Sequence, residues 1–552
     1  MLFSLNCFFF FFFFFFFYEN NIIFFFEWMI FEMNGSLFTL VFLFDWISMI
    51  FMSFVFLISG SVLFYSIGYM SSDKNFVRFF YFVFMFILMM IFFIMIPDLV
   101  CILLGWDGLG LVSYCLVIYY QNNMSMYSGM ITVLMNRFGD VFLILGIGLF
   151  FNFGSWHFFL YNDFYDLNSN YLIYLILFAS FTSSAQFPFC FWLPSAMAAP
   201  TPVSSLVHSS TLVTSGVFLI IRFNNYLFYF NTFFLMYISL ITMFISGMNA
   251  FLENDLKKII AFSTLSQLGF MFFILSLGCL TLCFIHLLIH AIFKSLLFLC
   301  SGYFIHCFFG NQDIRYMGGL VNQCPYVSSC FFISLLCLCG FPFFSGFYSK
   351  DFVLELLYLS ELSYLIFFFF IFSVVLTLIY SIRLIYYMFY SDIFFFPLLT
   401  FKYSFYMNLS MFFLYMFSLF IGSFLYWLFV DFIFFVDLFM KMLPVYMMIF
   451  LFFFFFNFLD NLYLFCNFFV CYFFGSMVYL NYFSTGFFIY RFFSFGLFYM
   501  NIVDNGWFEY FISGGLLGFL SWFYCLLMEF FNNSFYFFMI FFFFFFFFLY
   551  MF

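Results

Sequence analysis

The sequence predicts an all-α protein that crosses a membrane many times. Of its 552 residues, 68% are hydrophobic and only 7% are charged, whereas soluble domains carry about 25% charged residues. Apolar runs long enough to span a bilayer follow one another along almost the whole chain. The sequence lacks the short alternating segments that are typical of transmembrane β-barrels. At about 20 residues per span, we expect about 15 transmembrane helices and no soluble domain.

The apolar runs and the polar residues between them place the individual helices. The predicted helices are 2–17, 37–68, 76–96, 98–120, 124–152, 171–190, 203–222, 227–250, 255–276, 279–307, 326–346, 350–391 (broken or bent), 403–430, 445–475 and 531–552. Residues 476–530 have two interpretations, a further span or a helix that lies along the membrane. The first lysine is Lys74, so residues 2–17 lack the early basic region of a targeting peptide and are expected to be a retained helix.

The loop cations predict how the helices are oriented. When helix ends are counted alternately from the 250–256 loop, five cations fall on one side of the membrane: Lys74, Arg78, Lys257, Lys258 and Arg315. Arg222 falls on the other side. Because positive residues favour the side of synthesis, we expect the cation-rich side to be the side on which the chain is made.

Two of the predicted helices contain residues that interrupt helices. Residues 181–211 read FTSSAQFPFCFWLPSAMAAPTPVSSLVHSST and hold four of the nine prolines, and residues 340–351 contain Gly340, Pro342 and Gly346. Irregular backbone at membrane depth is tolerated only where protein or water lines it. A pair of interrupted segments in corresponding halves is typical of a transport site.

Ionisable residues inside apolar runs are candidate functional groups, because each costs about 2.5–3.5 kcal/mol to insert into a membrane. These candidates are Asp107, Arg137, Asp140, His208, His286, His290, Lys294, Lys350 and Asp351. Structural alternatives remain for several of them. Asp107 could be a carboxylate tied at a helix end, Lys350 could be a loop lysine, and Arg137 could pair with Asp140 three residues later.

The most specific pattern is HLLIHAIFK at residues 286–294. His286, His290 and Lys294 are spaced four residues apart, so they share one helix face and form a polar stripe about 12 Å long. Three titratable groups in line can pass protons through intervening water. The alternatives are packing histidines, or a metal site that would lack a third ligand nearby in sequence.

Seven motifs occur in a fixed order along the chain: GWDGLGLVSY, NRFGD, WLPSAMAAPTPVSSLVHSST, ENDLKKIIAFSTLSQLG, HLLIHAIFKSLLFLCSG, NQDIRYMGGL and FPFFSGFYSKD. Together they closely resemble the chain 5 family of mitochondrial NADH–ubiquinone oxidoreductase, respiratory complex I. The resemblance covers roughly residues 40–390. It implies a proton-translocating, antiporter-like subunit of the membrane arm, located in the mitochondrial inner membrane beside the chain 4 neighbour.

The resemblance also implies an organisation. N-terminal helices (1–75) precede two inverted five-helix repeats (76–222 and 223–391), each with one broken helix, and C-terminal helices with a lateral helix and an anchor follow (392–552). The family binds no cofactor in this chain, because NADH, FMN, iron–sulfur clusters and ubiquinone are held by other subunits. The chain is thus expected to act as part of the H⁺-translocating NADH:ubiquinone reductase without redox chemistry of its own.

By position, the resemblance assigns proton-transfer roles to Asp107, His208, His286, His290, Lys294 and Lys350, with Asp140 and Asp351 as accompanying acids. One departure affects this assignment. The family's lysine on the first broken helix is replaced by Ser183, so we expect Asp107 to lack its facing cation and the first half-channel to be retuned or idle. Asp107 itself replaces a glutamate.

Four other functions remain open on the sequence. The chain could be a sister antiporter-like subunit, a free-standing cation/proton antiporter, or a structural subunit that braces the arm and pumps poorly. A quinone-binding redox subunit is the fourth, but no motif supports it.

Overall fold

The structure is a computed structural model that describes residues 2–33, 36–152, 156, 167–227, 232–360, 363–392, 394, 404–430, 435–458, 468–480, 482–483, 486 and 489–551. Residues 228–231, 361–362, 403, 459–467 and 552 of the predicted helices lie outside the described residues. Two compact units make up the chain, residues 1–478 and residues 479–552.

Helices dominate both units. In the first unit they are α1 (Leu2–Asn20), α2 (Trp46–Tyr69), α3 (Phe76–Met95), α4 (Leu99–Val117), α5 (Asn123–Phe151), α6 (Leu167–Ser183), α7 (Trp192–Ser195), α8 (Thr201–Arg222), α9 (Asn224–Leu227), α10 (Phe233–Leu252), α11 (Leu256–Ser276), α12 (Leu280–Cys307), α13 (Leu320–Gln323), α14 (Pro325–Cys339), α15 (Ser345–Leu359), α16 (Tyr364–Tyr390), α17 (Phe405–Phe429), α18 (Leu438–Phe458) and α19 (Phe468–Gly475). Short 3₁₀ turns follow α7 and precede α13.

The predicted fold class, an all-α polytopic membrane protein, is confirmed. Among the described residues, eleven helices are long and apolar enough to cross a membrane, and four shorter apolar helices accompany them. Residues 76–222 and 223–391 each contain four of these long helices and one shorter apolar helix, Tyr171–Ser183 or Pro325–Cys339, which is followed by an interruption. The number of about 15 spans and the inverted repeats stay predictions.

A β-hairpin before α2 corrects the predicted helix 37–68. Strands β1 (Phe24–Met33) and β2 (Ser36–Phe44) pair antiparallel, with Trp28 opposite Leu40. Aromatic residues favour strands, and an uninterrupted apolar run cannot by itself distinguish strand from helix. The helix begins only after Asp45, which caps α2 because its Oδ1 accepts a hydrogen bond from the Ser48 amide at 3.0 Å.

Both predicted helix breaks are present, within narrower limits than the sequence indicated. The first lies between α6 and α8, and Trp192 Nε1 donates to the Thr182 carbonyl at 2.9 Å, satisfying a group that the break leaves free. The second lies between α14 and α15 at Gly340, which has φ +80°, a conformation that glycine adopts without steric cost. The predicted helix 350–391 is two helices, α15 and α16.

Polar contacts connect neighbouring helices at each end of the first unit. At one end, the buried Arg222 guanidinium binds Asp45 through two hydrogen bonds of 2.5 and 3.0 Å. At the other end, Arg383 donates to the carbonyls of Phe251 and Glu253, and Lys257 donates to the Ala199 carbonyl at 3.2 Å. The end that contains Arg383 and Lys257 is the predicted cation-rich side.

The second unit is helical along most of its length. It contains α20 (Ile489–Tyr499), a π-helical turn segment (Met500–Gly514) and α21 (Gly515–Met551). The helical run Tyr490–Met551 has 62 residues, about 90 Å at 1.5 Å per residue. A hydrocarbon core is about 30 Å thick, so this run is too long for one simple span. Residues 489–530 are helical, as both interpretations predicted, and α21 begins earlier than the predicted 531.

We expect Asp45→Asn to lower the thermal stability of the protein. Burial opposes ionisation of Asp45, but Arg222 and the hydrogen bonds from Ser48 outweigh it and lower the pKa of the carboxyl. Breaking such a buried pair costs about 3–5 kcal/mol. Because the folded pKa is depressed, this stabilisation is present above the ordinary pKa, about 3.9, and is lost as the pH falls below it.

Thermal melting of the detergent-solubilised protein measures this effect. Lys258→Gln is the control, because its pair with Asp255 at 2.8 Å is exposed and exposed pairs contribute about 0–1 kcal/mol. Equal melting temperatures for the two variants at neutral pH would contradict the stabilising role of Asp45.

Candidate functional site

A line of buried titratable groups runs along the middle of α12. His286, His290 and Lys294 are all buried, and the imidazole rings of the two histidines lie 6.4 Å apart. Because α12 is a regular helix through this region, the predicted four-residue spacing does place the three groups on one face. The stripe therefore lies within the protein and does not face lipid.

Neighbouring helices supply hydrogen-bond partners to two of these groups. Lys294 Nζ donates to Ser263 Oγ at 2.5 Å. His286 bonds through Nδ1 to Ser349 Oγ at 2.9 Å and through Nε2 to Gln267 Oε1 at 3.2 Å. Both nitrogens of His290 are buried without a hydrogen-bond partner among the described residues. Buried polar atoms of this kind are typical binding points for internal water.

The second helix break brings Lys350 to this line. Ser349, the partner of His286, directly precedes Lys350 on α15. Lys350 Nζ donates to Thr377 Oγ1 at 2.9 Å and to the Cys339 carbonyl at 3.4 Å. The loop-lysine alternative is thereby excluded, since the side chain is buried and lies within a helix.

Asp351 follows Lys350 on the same helix and shares a small cavity with it. The cavity has a volume of about 30 Å³ and is also lined by Tyr358 and Pro444, which is room for about one water molecule. One turn further along α15, Glu355 pairs with Lys441 of α18 at 3.0 Å. The sequence analysis missed this pair, because the two residues lie far apart in the chain.

His208 lies on α8 shortly after the first break, within a π-helical segment of that helix (Ser204–Thr211). It is buried, its ring lies 6.2 Å from that of Trp192, and neither ring nitrogen has a partner among the described residues. π-helical segments appear frequently at functional sites. No feature of the sequence predicted this local widening of the helix.

Three charged side chains form a separate cluster between α4 and α5. Arg137 Nη1 lies 3.2 Å from Asp107 Oδ2 and 2.9 Å from Asp140 Oδ2. The pairing of Arg137 with Asp140 was predicted as one alternative, but the bridge to Asp107 was not. Asp107 therefore has a cation beside it, Arg137 of α5, although the neutral Ser183 stands where the family lysine was expected.

The Asp107 cluster differs from the α12 line in its exposure. The Arg137 side chain is 45% exposed and that of Asp107 is 28% exposed, although both residues lie near the middle of their helices. A charged surface at this depth is unfavourable against lipid.

Ser183 lies at the last turn of α6, where the family lysine was expected. Its hydroxyl donates to the Ser180 carbonyl at 3.2 Å. A Cβ atom on Gly216 of α8 would lie only 2.5 Å from Ser183 Oγ. The position is therefore tightly packed and neutral.

The structure thus joins the second-half candidates into one line and places the Asp107 cluster apart from it. Sequence reasoning missed the polar partners Ser263, Gln267, Ser349 and Thr377. A buried glutamine in a membrane helix was the available signal for Gln267. Among the described residues, no group of three or more His, Cys, Asp or Glu side chains could hold a metal ion.

Three family models match the chain. They are NADH:quinone oxidoreductase/Mrp antiporter, TM (residues 96–377), NADH dehydrogenase subunit 5 C-terminus (residues 380–552) and NADH-Ubiquinone oxidoreductase (complex I), chain 5 N-terminus (residues 28–80). The first model alone spans about half of the chain.

Curated relatives carry the name NADH-ubiquinone oxidoreductase chain 5. The protein of Locusta migratoria is 53% identical over 362 residues, which are 65% of this chain and 63% of that protein. The protein of Anopheles arabiensis is 54% identical over 345 residues, 62% of this chain and 90% of that protein. The match thus spans somewhat less than two thirds of the length of the locust relative.

Solved structures support the fold. A chain of the Mrp complex from Dietzia sp. DQ12-45-1b has a TM-score of 0.70 at 21% identity, covering 81% of this chain and 52% of that chain. A chain of the membrane-bound sulfane sulfur reductase, an archaeal respiratory membrane complex, has a TM-score of 0.65 at 20% identity, covering 74% and 70%.

Proposed function

Because the chain belongs to the NADH-ubiquinone oxidoreductase chain 5 family, we propose that it is a proton-translocating subunit in the membrane arm of complex I. In this role it is a multi-pass protein of the mitochondrial inner membrane. It takes part in the H⁺-translocating NADH:ubiquinone reductase, while NADH, FMN, iron–sulfur clusters and ubiquinone bind to other subunits.

The observation that carries this proposal is the buried line from Lys294 through His290 and His286 to Lys350. Ser263 bonds Lys294, and Ser349 and Gln267 bond His286, while His290 between them has no partner among the described residues. Proton transfer needs groups that can both accept and donate a proton within hydrogen-bond reach or through one water. Histidine and buried lysine meet this need, and Ser263, Ser349 and Thr377 hold them in position.

In the first half, His208, Asp107 and Asp140 are the proposed proton-transfer groups. Arg137 takes over the charge balance that the family lysine supplies at position 183. Under this assignment the first half-channel conducts protons and is not idle. Lys350 and Asp351 form the corresponding site in the second half, and the repeats 76–222 and 223–391 are the two halves.

The proposed partners are the other membrane-arm subunits, above all chain 4. The exposure of Arg137 and Asp107 at mid-helix supports a protein neighbour on this face. A partner that covers the cluster would remove an ion pair from lipid, where charges are costly. A free-standing antiporter would leave this surface uncovered.

We expect Lys294→Met to abolish proton translocation through this subunit. Positioned proton-transfer groups contribute about 10²–10⁴-fold, and methionine fills the space without a titratable group. The measurement is the number of protons moved per NADH oxidised by the intact complex in sealed vesicles. Lys258→Met, in an exposed pair at the cation-rich end, is the control. An unchanged ratio in Lys294→Met would favour the structural alternative.

We expect Arg137→Gln to lower the same ratio, because Asp107 and Asp140 would then share a site without a cation. Adding Ser183→Lys to this variant is expected to restore part of the loss. Arg78→Gln is the matched control, since the Arg78 guanidinium binds the Tyr119 carbonyl and no carboxylate in the described contacts. A normal ratio in Arg137→Gln would mean that Asp107 needs no compensating charge.

A further inference from the structure

One polar side chain of α11, Gln267, faces the first histidine of the α12 line. Its amide oxygen Oε1 lies 3.2 Å from His286 Nε2, and both side chains are buried. An amide oxygen can only accept a hydrogen bond, so this bond forms only when Nε2 carries a hydrogen. If the hydrogen of the neutral ring stood on Nδ1 instead, two lone pairs would face each other in a buried site, where an unmade hydrogen bond is costly.

The other ring nitrogen of His286 faces the helix that carries Lys350. Nδ1 lies 2.9 Å from Ser349 Oγ, and Ser349 directly precedes Lys350 on α15. With the hydrogen on Nε2, Nδ1 keeps a free lone pair and accepts the hydrogen bond of the Ser349 hydroxyl. The basic nitrogen of His286 is thus turned toward α15.

Two aromatic residues surround this arrangement. The ring of Phe270, one turn along α11 from Gln267, packs edge-on against the His286 imidazole with centroids 4.9 Å apart. The hydroxyl of the buried Tyr380 on α16 interacts with the Gln267 side chain, although the contact falls outside ideal hydrogen-bond geometry. The amide nitrogen therefore has a polar neighbour in Tyr380, and the amide oxygen is left for His286.

Ser349 can follow a change in the charge of His286. Its hydroxyl has a second acceptor, the Gly346 carbonyl at 3.3 Å. When the ring is neutral, the hydroxyl donates to Nδ1. When Nδ1 gains a proton, it becomes the donor to Ser349 Oγ, and the serine hydrogen turns to the Gly346 carbonyl. The Nε2 hydrogen remains bonded to Gln267 in both states, so only the α15 side of the ring changes.

We propose that Gln267 is a positioning residue that holds the hydrogen of neutral His286 on Nε2 and so presents the basic Nδ1 to Ser349. The proton that Nδ1 accepts is supplied by the Lys350 ammonium through the Ser349 hydroxyl. The lysine becomes neutral, the histidine becomes charged and the serine ends unchanged. This inference rests on the proposed function of the chain, and it adds the residue that gives this step its direction.

Two variants test whether Gln267 acts through His286. Gln267→Met keeps the length of the side chain and removes the amide, and Ser349→Ala removes the hydroxyl at the opposite ring nitrogen. We expect each variant to slow NADH-driven proton translocation by the intact complex in sealed vesicles by roughly tenfold, because a proton-transfer group is misdirected or lost. We expect the double variant to be no slower than either single variant, because both act on one step through one ring.

Gln186→Met is the matched control for the loss of a buried amide. Gln186 is also fully buried, and its Oε1 accepts a hydrogen bond from Thr242 Oγ1 at 2.8 Å, outside the α12 line. Normal translocation in Gln267→Met would overturn the positioning role, and so would a loss of about a hundredfold in the double variant, since the two residues would then act independently. An equal loss in Gln186→Met would overturn it too, because packing would explain the effect.

Infrared spectroscopy of the complex with isotope-labelled histidine reports the position of the hydrogen directly, because the ring vibrations of the two neutral tautomers differ. Subtracting the spectrum of the His286→Phe complex isolates the bands of His286. We expect the Nε2–H form in the unaltered complex and a gain of the Nδ1–H form in Gln267→Met. A predominant Nδ1–H form in the unaltered complex would overturn the proposal.

Lys294→Met, measured in parallel, separates this inference from the proposed function. If Lys294→Met stops translocation while Gln267→Met does not, the positioning role alone is wrong. If Lys294→Met translocates normally, the proton-translocating function itself fails, whatever tautomer the infrared spectrum shows.

Discussion

The cost of burying charge within a membrane governs the architecture of this chain. Lys294 and Lys350 are buried, and an unpartnered ammonium at that depth would be expelled or neutralised. The helix break after α14 offsets part of this free-energy cost for Lys350. The end of the helix leaves the Cys339 carbonyl free to accept a hydrogen bond from the Lys350 ammonium. In the second half, the break therefore supplies a hydrogen-bond acceptor for the buried lysine.

The same constraint divides the buried hydroxyl groups into two kinds. Most serine and threonine side chains of the bundle donate to the carbonyl three or four residues earlier in their own helix, as Ser180 and Thr264 do. Such hydroxyls are satisfied locally. Tyr65 and Thr201 differ, because α12 approaches them at a glycine and offers no acceptor side chain there. Polar groups left without partners mark where water enters an otherwise apolar bundle.

Patterns local in sequence predicted most of the fold and half of the site. The four-residue spacing of His286, His290 and Lys294 and the Pro- and Gly-rich breaks were sufficient to place the α12 line and both interrupted helices. The β-hairpin could not be predicted, because its aromatic strands continue into the apolar run of α2 and differ from it in no periodic feature. The Arg137–Asp107 bridge and the Glu355–Lys441 pair join residues on different helices, and a single sequence carries no signal for such pairings.

The two halves of the chain differ in the groups that compensate their charged side chains. In the second half the titratable groups are enclosed by α11, α15 and α16 of the same chain, and their partners are hydroxyl and amide groups of this protein. In the first half Asp107 and Asp140 pair with Arg137, whose side chain is 45% exposed, and Ser183 supplies no charge. An exposed ion cluster at mid-membrane depth is stable only when another protein surface excludes lipid from it. The charges of the second half are thus compensated within this chain, whereas those of the first half lie partly exposed at mid-helix, where contact with lipid is unfavourable.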